Sequence, residues 1–432
     1  MGQAIFLPMD QYDLIIVGGG ISGLTLACRA ALGKRLSILV LEKEERLGGC
    51  LHTWRVEDDF WVELGAHTAY NSYKNLLQVL QERKGLDGLT RRAKLGYRFL
   101  NEDRLQSPIA RLGWFELMTS LPFGLMRGQA GASLAEYYGT LFGRRNYARL
   151  LAPAFAAVLS QPADGFPAQW LFRRKPRMKE APRKYTWPTG LQGLAEALVE
   201  EAPFEVRTGV AVTAVRRKAD GYEIDAGGQS MQCRYLAMAT PPDVVAHLLL
   251  DGHPRLAARL SAIPMAEIES MAVVVAAERV KLPKLAGLIG VNDVFYSVVS
   301  RDYLTHPRLR GFCFHFRPRR LDRDAKLARV CEVLGIASDD IIAQREVRNR
   351  LPALEVSHVS LVEEVNDLIK GRRLFLTGNY FQGMSIGDCA DRSTWEAYRL
   401  LKTVKRLAGS HAGISASHTT SGVTAADACR HY

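Results

Sequence analysis

At 432 residues the chain is too long for one ordinary hydrophobic core, so two domains are expected. Its 47% hydrophobic and 24% charged residues are those of a globular protein; no apolar run reaches the roughly 18 residues that span a bilayer, and MGQAIFLPMDQYD lacks the basic start and apolar core of a secretory signal. The seven cysteines (Cys28, Cys50, Cys233, Cys313, Cys331, Cys389, Cys429) are odd in number and show no CxxC spacing, which points to a reducing cytoplasmic setting, small core thiols and no metal site.

In chain order, YDLIIVGGGISG predicts a buried strand at 12–17, a glycine turn and a helix at 21–33, followed by a strand at 36–42. A strand-and-turn stretch runs through RLGGCLHTWRVEDDFWVELGAHTAY. Residues 74–160 read as mainly helical. Strand alternation returns in FEVRTGVAVTAVRRKADGYEIDA as a hairpin, and CRYLAMATPP as a buried strand. Aromatic strands are expected in AVVVAAERV, VFYSVVS and GFCFHFRP, and RRLFLTGNYFQGMSIGDCADR closes the chain as strand, Gly-rich turn and long helix. The small polar tail 411–432 reads as disordered.

The glycine turn carries the chemistry. Gly18 permits a tight turn, Gly20 lets backbone approach a pyrophosphate, and Gly23 allows close packing of helix on strand. The helix N-terminus near Ile21 faces phosphates with free N–H groups and the positive end of its dipole. Glu42, nineteen residues beyond Gly23, can accept both ribose hydroxyls and disfavours a 2′-phosphate. Further glycines at Gly48 and Gly49, and at Gly65 in Glu63-Leu64-Gly65-Ala66-His67, exceed what NAD needs and fit the longer FAD. Ser385, with Asp388 three residues on, predicts a helix cap, so the N–H groups of Met384, Ser385 and Ile386 can stabilise negative charge on a reduced flavin.

Together GGGISGL, LEKEERLGG, ELGAH, FPAQWLFRRKP, YTWPTGLQGLAEAL, VAVTAV, ATPPDVV and LTGNYFQGMSIGDC resemble the flavin amine oxidase superfamily, within it the protoporphyrinogen oxidase-like branch. The resemblance implies an α/β, Rossmann-like FAD-binding domain (1–75, 190–265, 360–410) with an inserted, discontinuous α+β substrate domain (76–189, 266–359). It implies FAD contacts from Gly18, Gly20, Ile21, Ser22, Gly23, Glu42, Lys43, Arg46, Gly48 and Gly49. Gly65, Ala66, His67, Val212, Gly378, Asn379, Met384, Ser385 and Ile386 complete that set, Val212 through its backbone at the adenine. Cys50 stands where many amine oxidases have Arg, and the cysteine that links flavin in some amine oxidases is absent, so non-covalent FAD is expected; links through Cys50 or His67 are the minor alternatives. His67 reads first as a structural histidine near the flavin and second as a proton-transfer group.

No second GxGxxG is present, so electrons are expected from an organic substrate and not from NAD(P)H. Oxygen, a quinone or another acceptor receives them. The expected function is hydride removal from an apolar, anionic small molecule, with porphyrinogen as the named substrate. Amine oxidation and carotenoid-type desaturation are the alternatives, and a non-catalytic binding protein is the alternative of another class. No catalytic residue is assigned. The net charge of +12 is densest in FRRKPRMKEAPRK, whose Arg173, Arg174, Lys175 and Arg177 read as a solvated connector or a carboxylate-attracting rim; without interleaved aromatics, nucleic acid is not expected. The apolar segment 107–128 is expected to line a core or channel, with peripheral membrane contact as the alternative.

Overall fold

The computed structural model describes residues 10–412 except positions 34, 35, 58 and 127; the tail expected to be disordered lies, beyond Ala412, outside the described residues. A seven-stranded sheet forms one layer. Its order is Glu205–Arg207, Ile38–Leu41, Asp10–Val17, Gln229–Met238, Tyr222–Ala226 and Val212–Arg217, with Leu374–Leu376 also paired to Gln229–Met238. The central strands run parallel, and Tyr222–Ala226 with Val212–Arg217 forms an antiparallel hairpin at one side. Parallel strands covered on both faces lack polar alternation. Asp10–Val17 accordingly sends Ile15 and Val17 to one core and Leu14 and Ile16 to another. The second core holds the helices Ile21–Ala31 and Ile386–Ala412, packed through Leu24, Ala390, Ala397 and Leu400.

A second seven-stranded sheet has the order Ile341–Pro352, Met265–Ala276, Leu309–Phe316, Phe295–Ser300, Gly287–Gly290, Tyr97–Asn101 and Arg104–Gln106. It is antiparallel except where Gly287–Gly290 meets Tyr97–Asn101. One face packs Met271, Val273, Phe312 and Phe314 against Val330 and Leu334 of the helix Arg323–Leu334. Residues 74–160 are mainly helical as expected, although the Tyr97–Gln106 hairpin interrupts them. Glu102 and Asp103 both adopt positive φ (49° and 57°), the primed turn that suits a two-residue hairpin.

The segment 107–128 also departs from expectation. Its helix, Trp114–Leu125, lines no core. Trp114, Phe115, Met118, Phe123, Leu125 and Met126 are all exposed. The helix is apolar around much of its circumference, and it docks on the helix Leu134–Phe142 where Gly124 presses on the Leu141 backbone. A Cβ on Gly124 would come within 2.2 Å of Leu141 Cα, so that contact leaves the aromatic side outward. Exposed Arg144, Arg145 and Arg149 follow that second helix, and Glu116 of the apolar helix accepts the Arg145 N–H. Among the described residues no helix is long and apolar enough to cross a membrane.

Candidate active site

After Val17 the chain turns at Gly18 with φ +112°, backbone that residues with a Cβ rarely adopt. A Cβ on Gly23 would lie 2.0 Å from the Gly18 carbonyl oxygen, so helix and strand meet only with glycine there. The second glycine turn then docks on the first: Gly48 N–H donates to the Gly19 carbonyl (2.9 Å), and Gly20 and Gly48 form a β-bridge. The three nearest neighbours of a Cβ built on Gly20 are backbone atoms of Gly48 and Gly49, at 3.7–3.9 Å. This is a backbone-lined cradle that a side chain would fill, as close approach to a pyrophosphate requires.

Glu42 is buried at one end of the cradle. Its carboxylate accepts the N–H groups of Gly19 (2.7 Å) and Glu44 (2.9 Å), which aims it while each oxygen keeps a lone pair for a ribose hydroxyl. Val210 N–H donates to the Glu42 carbonyl (2.9 Å), bringing the strand that begins at Val212 beside it. Arg46 donates to the carbonyls of Gly49 (3.0 Å) and Leu51 (3.3 Å) and so holds the second turn, whereas Lys43 is exposed and paired with Glu44.

Toward the other end, Ala66 N–H donates to the Cys50 carbonyl (2.9 Å), and a Cβ on Gly65 would lie 2.2 Å from that oxygen. His67 follows, half-buried, with its ring 6.3 Å from that of His315 and nearly parallel to it. Burial, and then the neighbouring His315 and Arg92, push the His67 imidazole down to about 3. The C-terminal motif reaches the same region. Gly378, at φ +152°, leaves the strand Leu374–Leu376 toward half-buried Asn379, and Tyr73 packs its ring on Gly387. Ser22 meets the thiol of Cys389. Thus the expected contact residues form one extended row, from Glu42 and Val212 through the glycine turns to His67 and Met384–Ile386. That row and its cradle fit FAD.

Ser385 and Asp388 form a reciprocal cap at the start of the last helix: Asp388 N–H donates to Ser385 Oγ (3.1 Å), and Ser385 N–H donates to Asp388 Oδ2 (3.1 Å). The Ser385 N–H is therefore committed within the protein and does not face a flavin freely as expected. The carboxylate of Asp388 also takes Arg173 (2.8 Å) and Lys175 (2.7 Å), while Lys175 reaches Asp391 (2.7 Å). Burial raises the Asp388 carboxyl, yet Lys175, Ser385 and Arg173 together bring it below its ordinary value. These ion pairs correct the reading of 173–177 as a carboxylate-attracting rim, since two of its cations are already neutralised.

Arg92 had no distinguishing signal in TRRAK. It is 8% exposed, with its guanidinium stacked 3.4 Å from the centre of the Tyr303 ring. Its Nη1 donates to the His67 carbonyl and to Thr68 Oγ1, and among the described residues no carboxylate pairs with it. Of the other buried arginines, Arg310 holds both oxygens of Asp302 and Arg392 pairs with Glu396, whereas Arg111 and Arg301 bond carbonyl and amide oxygens. Half-buried Lys184, whose carbonyl accepts the Arg92 N–H (3.2 Å), also has no carboxylate partner among the described residues; burial and then Arg92 lower its ammonium below the usual value. Nearby Glu63 is buried, bonded to Leu191 N–H and Thr53 Oγ1 (both 2.7 Å), and burial pushes its carboxyl up to about 7. His315 likewise carries no local mark, as one histidine among the aromatics of GFCFHFRP.

Residues 21–282 match the family described as flavin containing amine oxidoreductase. The chain belongs to that family. The family is flavin-containing, and the chain's Rossmann-like α/β fold class is the one expected. It is 34% identical over 76 residues (18% of the chain, 14% of the relative) to a flavin-containing amine oxidase of Danio rerio. It is 37% identical over 67 residues (16% and 14%) to a 15-cis-phytoene desaturase of Synechococcus elongatus. The matched region thus spans about a seventh of either relative. Among solved structures, a protein of Exiguobacterium sp. 255-15 provisionally named a protoporphyrinogen oxidase superposes with a TM-score of 0.72 over 92% of this chain and 99% of that one, at 19% identity, a likeness of fold.

Proposed function

We propose that this family member takes hydride from a largely apolar organic acid, with a porphyrinogen as the substrate. The observation that carries the reading is Arg92. A buried guanidinium without a counter-ion is costly in a low dielectric, and a substrate carboxylate relieves that cost through a charge-assisted pair. Propionate-bearing tetrapyrroles combine such carboxylates with a large apolar ring. Arg92 and Lys184 repel an ammonium group, which places amine oxidation second, and a carotenoid offers them no carboxylate.

The cofactor supplies the hydride acceptor; the chain's own task is to hold the substrate C–H in line in a dry pocket. We assign the FAD contacts to the row from Gly18 to Ile386 described above, without a covalent link, and the two sheets to the FAD and substrate domains with the boundaries given earlier. Oxygen or a quinone is the electron acceptor. The exposed aromatic helix Trp114–Leu125, flanked by Arg144, Arg145 and Arg149, is a peripheral contact with an anionic lipid surface.

Anaerobic bleaching of the bound flavin by a panel of porphyrinogens, amines and polyenes tests the reading. Bleaching by protoporphyrinogen or coproporphyrinogen, with porphyrin formed, is the expected result. Bleaching by amines or polyenes alone would replace the substrate, and a colourless protein that cannot be reconstituted with FAD would remove catalysis altogether.

A further inference from the structure

A cavity of about 180 Å³ lies at the start of the strand Leu309–Phe316, where the preceding loop sets the His306 ring edge-on to Phe60, 5.1 Å between centres. Phe60, Arg301, Asp302 and Arg310 form its buried wall, and exposed Lys284 and Thr305 stand at its rim. None of the residues assigned to FAD lines it, and neither does Arg92 or Lys184. An occupant is therefore neither the flavin nor the reacting substrate.

The charges around the cavity do not cancel. Arg310 is committed within the protein: its Nε and Nη2 hold the two oxygens of Asp302 (2.9 and 2.6 Å), and its Nη1 donates to the Leu282 carbonyl (2.6 Å). His306 adds no charge, because its Nδ1 accepts the backbone N–H groups of Arg308 (3.3 Å) and Leu309 (3.0 Å), which leaves the ring proton on Nε2, beside Asp59 (3.4 Å). Arg301 differs. It is 8% exposed, its guanidinium lies over the rings of Phe60 (4.4 Å) and Trp61 (4.9 Å), and each Nη donates to a backbone carbonyl, of Leu304 (3.0 Å) and Asp59 (3.1 Å). Each Nη carries two hydrogens, so the guanidinium that lines the cavity retains free donors. Among the described residues no carboxylate pairs with Arg301 or with Lys284, so the three cations of the lining stand against one carboxylate and two positive charges are left. Burial lowers the Arg301 guanidinium below its ordinary value in spite of Tyr303, Asp59 and Glu63, as expected of a charge that its surroundings under-compensate.

We propose that this cavity binds a small dianionic oxyanion, of the phosphate or compact dicarboxylate class. A dianion cancels the two uncompensated charges, whereas a monoanion leaves one of them bare. Arg301 supplies the planar donor group that phosphate and carboxylate oxygens recognise, kept in place by the ring faces of Phe60 and Trp61, and Lys284 supplies a point charge at the mouth. The space equals that of about six waters, which suits an ion of this size and excludes a tetrapyrrole. Arg301 N–H donates to the Gly311 carbonyl (2.9 Å), and the Arg301 carbonyl accepts the Leu304 N–H (3.0 Å). An ion held by Arg301 thus braces the loop whose Tyr303 ring stacks on Arg92.

Calorimetric titration of FAD-saturated holoenzyme with phosphate, oxalate, acetate and chloride, at mildly alkaline pH and constant ionic strength, reads the site directly. Phosphate or oxalate is expected to bind with a dissociation constant on the order of a millimolar, and acetate about tenfold more weakly. R301Q weakens the dianion by about tenfold or more, K284M weakens it about threefold, and R92Q leaves it unchanged. Whichever of phosphate and oxalate binds names the source of the oxyanion, and its addition slows hydrogen exchange across residues 301–310. Wild-type protein that binds neither dianion more tightly than chloride or acetate, a K284M or R301Q protein that binds like wild type, or binding lost in R92Q and kept in R301Q overturns the proposal. If R301Q does not fold, K284M and R92Q decide it.

Discussion

Replacing Phe115 and Phe123 together by serine tests whether the exposed helix meets a lipid surface. These side chains are 84% and 72% exposed, so they contribute little to folded-state packing and their loss leaves flavin content and unfolding midpoint near wild type. Full burial of a phenylalanine is worth about 1.5–3 kcal/mol; scaled by the exposed fractions, each ring gains about 2 kcal/mol on entering the interface. The pair therefore accounts for about 4 kcal/mol, or roughly a thousandfold in partitioning. Co-sedimentation of holoenzyme with phosphatidylglycerol–phosphatidylcholine vesicles measures it. The wild-type protein is expected to pellet with vesicles, more strongly at low salt because Arg144, Arg145 and Arg149 add attraction to anionic headgroups. Wild-type protein that stays in the supernatant, or a double variant that pellets equally well, would refute the reasoning.

Gly23→Ala places a Cβ 2.0 Å from the Gly18 carbonyl oxygen, so helix and turn must separate and FAD occupancy of purified protein is expected to fall well below wild type; full occupancy would contradict the cradle geometry. Asp388→Ala leaves Arg173 and Lys175 without their shared carboxylate and Ser385 N–H without its cap, a loss of about 3 kcal/mol that urea denaturation will detect. For His315, burial lowers the folded-state value from 6.5 to about 4, so the unfolded chain binds its proton first as pH falls. The stability it contributes is present above about pH 6.5 and is lost toward pH 4, about 2 kcal/mol of it between pH 6.5 and 5. Glu63, raised from 4.5 to about 7, has the opposite sign: its contribution is present below 4.5 and lost as pH rises through 7. The comparison of wild type with H315Q therefore isolates the histidine, and parallel urea-midpoint profiles for the two would count against its burial in neutral form.

The cofactor end of this protein is legible in the sequence because it is built from backbone requirements. Gly18 and Gly23 stand where a Cβ meets neighbouring backbone, Glu42 ends a strand that must lie beside the first, and Ser385 with Asp388 caps a helix; each signal is confined to a few consecutive residues. The substrate side has no such mark. Arg92 in TRRAK resembles any solvated cation until the sheet that pairs Lys184–Thr186 with Thr90–Arg91 and the ring of Tyr303 enclose it. Arg173 and Lys175 resemble an anion rim until Asp388, more than two hundred residues later, takes their charge. His315 becomes half of a pair only because its strand lies beside Ser270 and opposite His67.

Local sequence thus determined the turns, the caps and the identity of the cofactor, since backbone conformation and helix termini depend on near neighbours. Tertiary structure alone decided which charges are cancelled and which stay bare, and which apolar faces are covered. Burial and pairing depend on contacts between distant segments, and the segment 107–128 shows the difference plainly: its composition suits a core, and only the packing of Gly124 on Leu141 turns its aromatics outward.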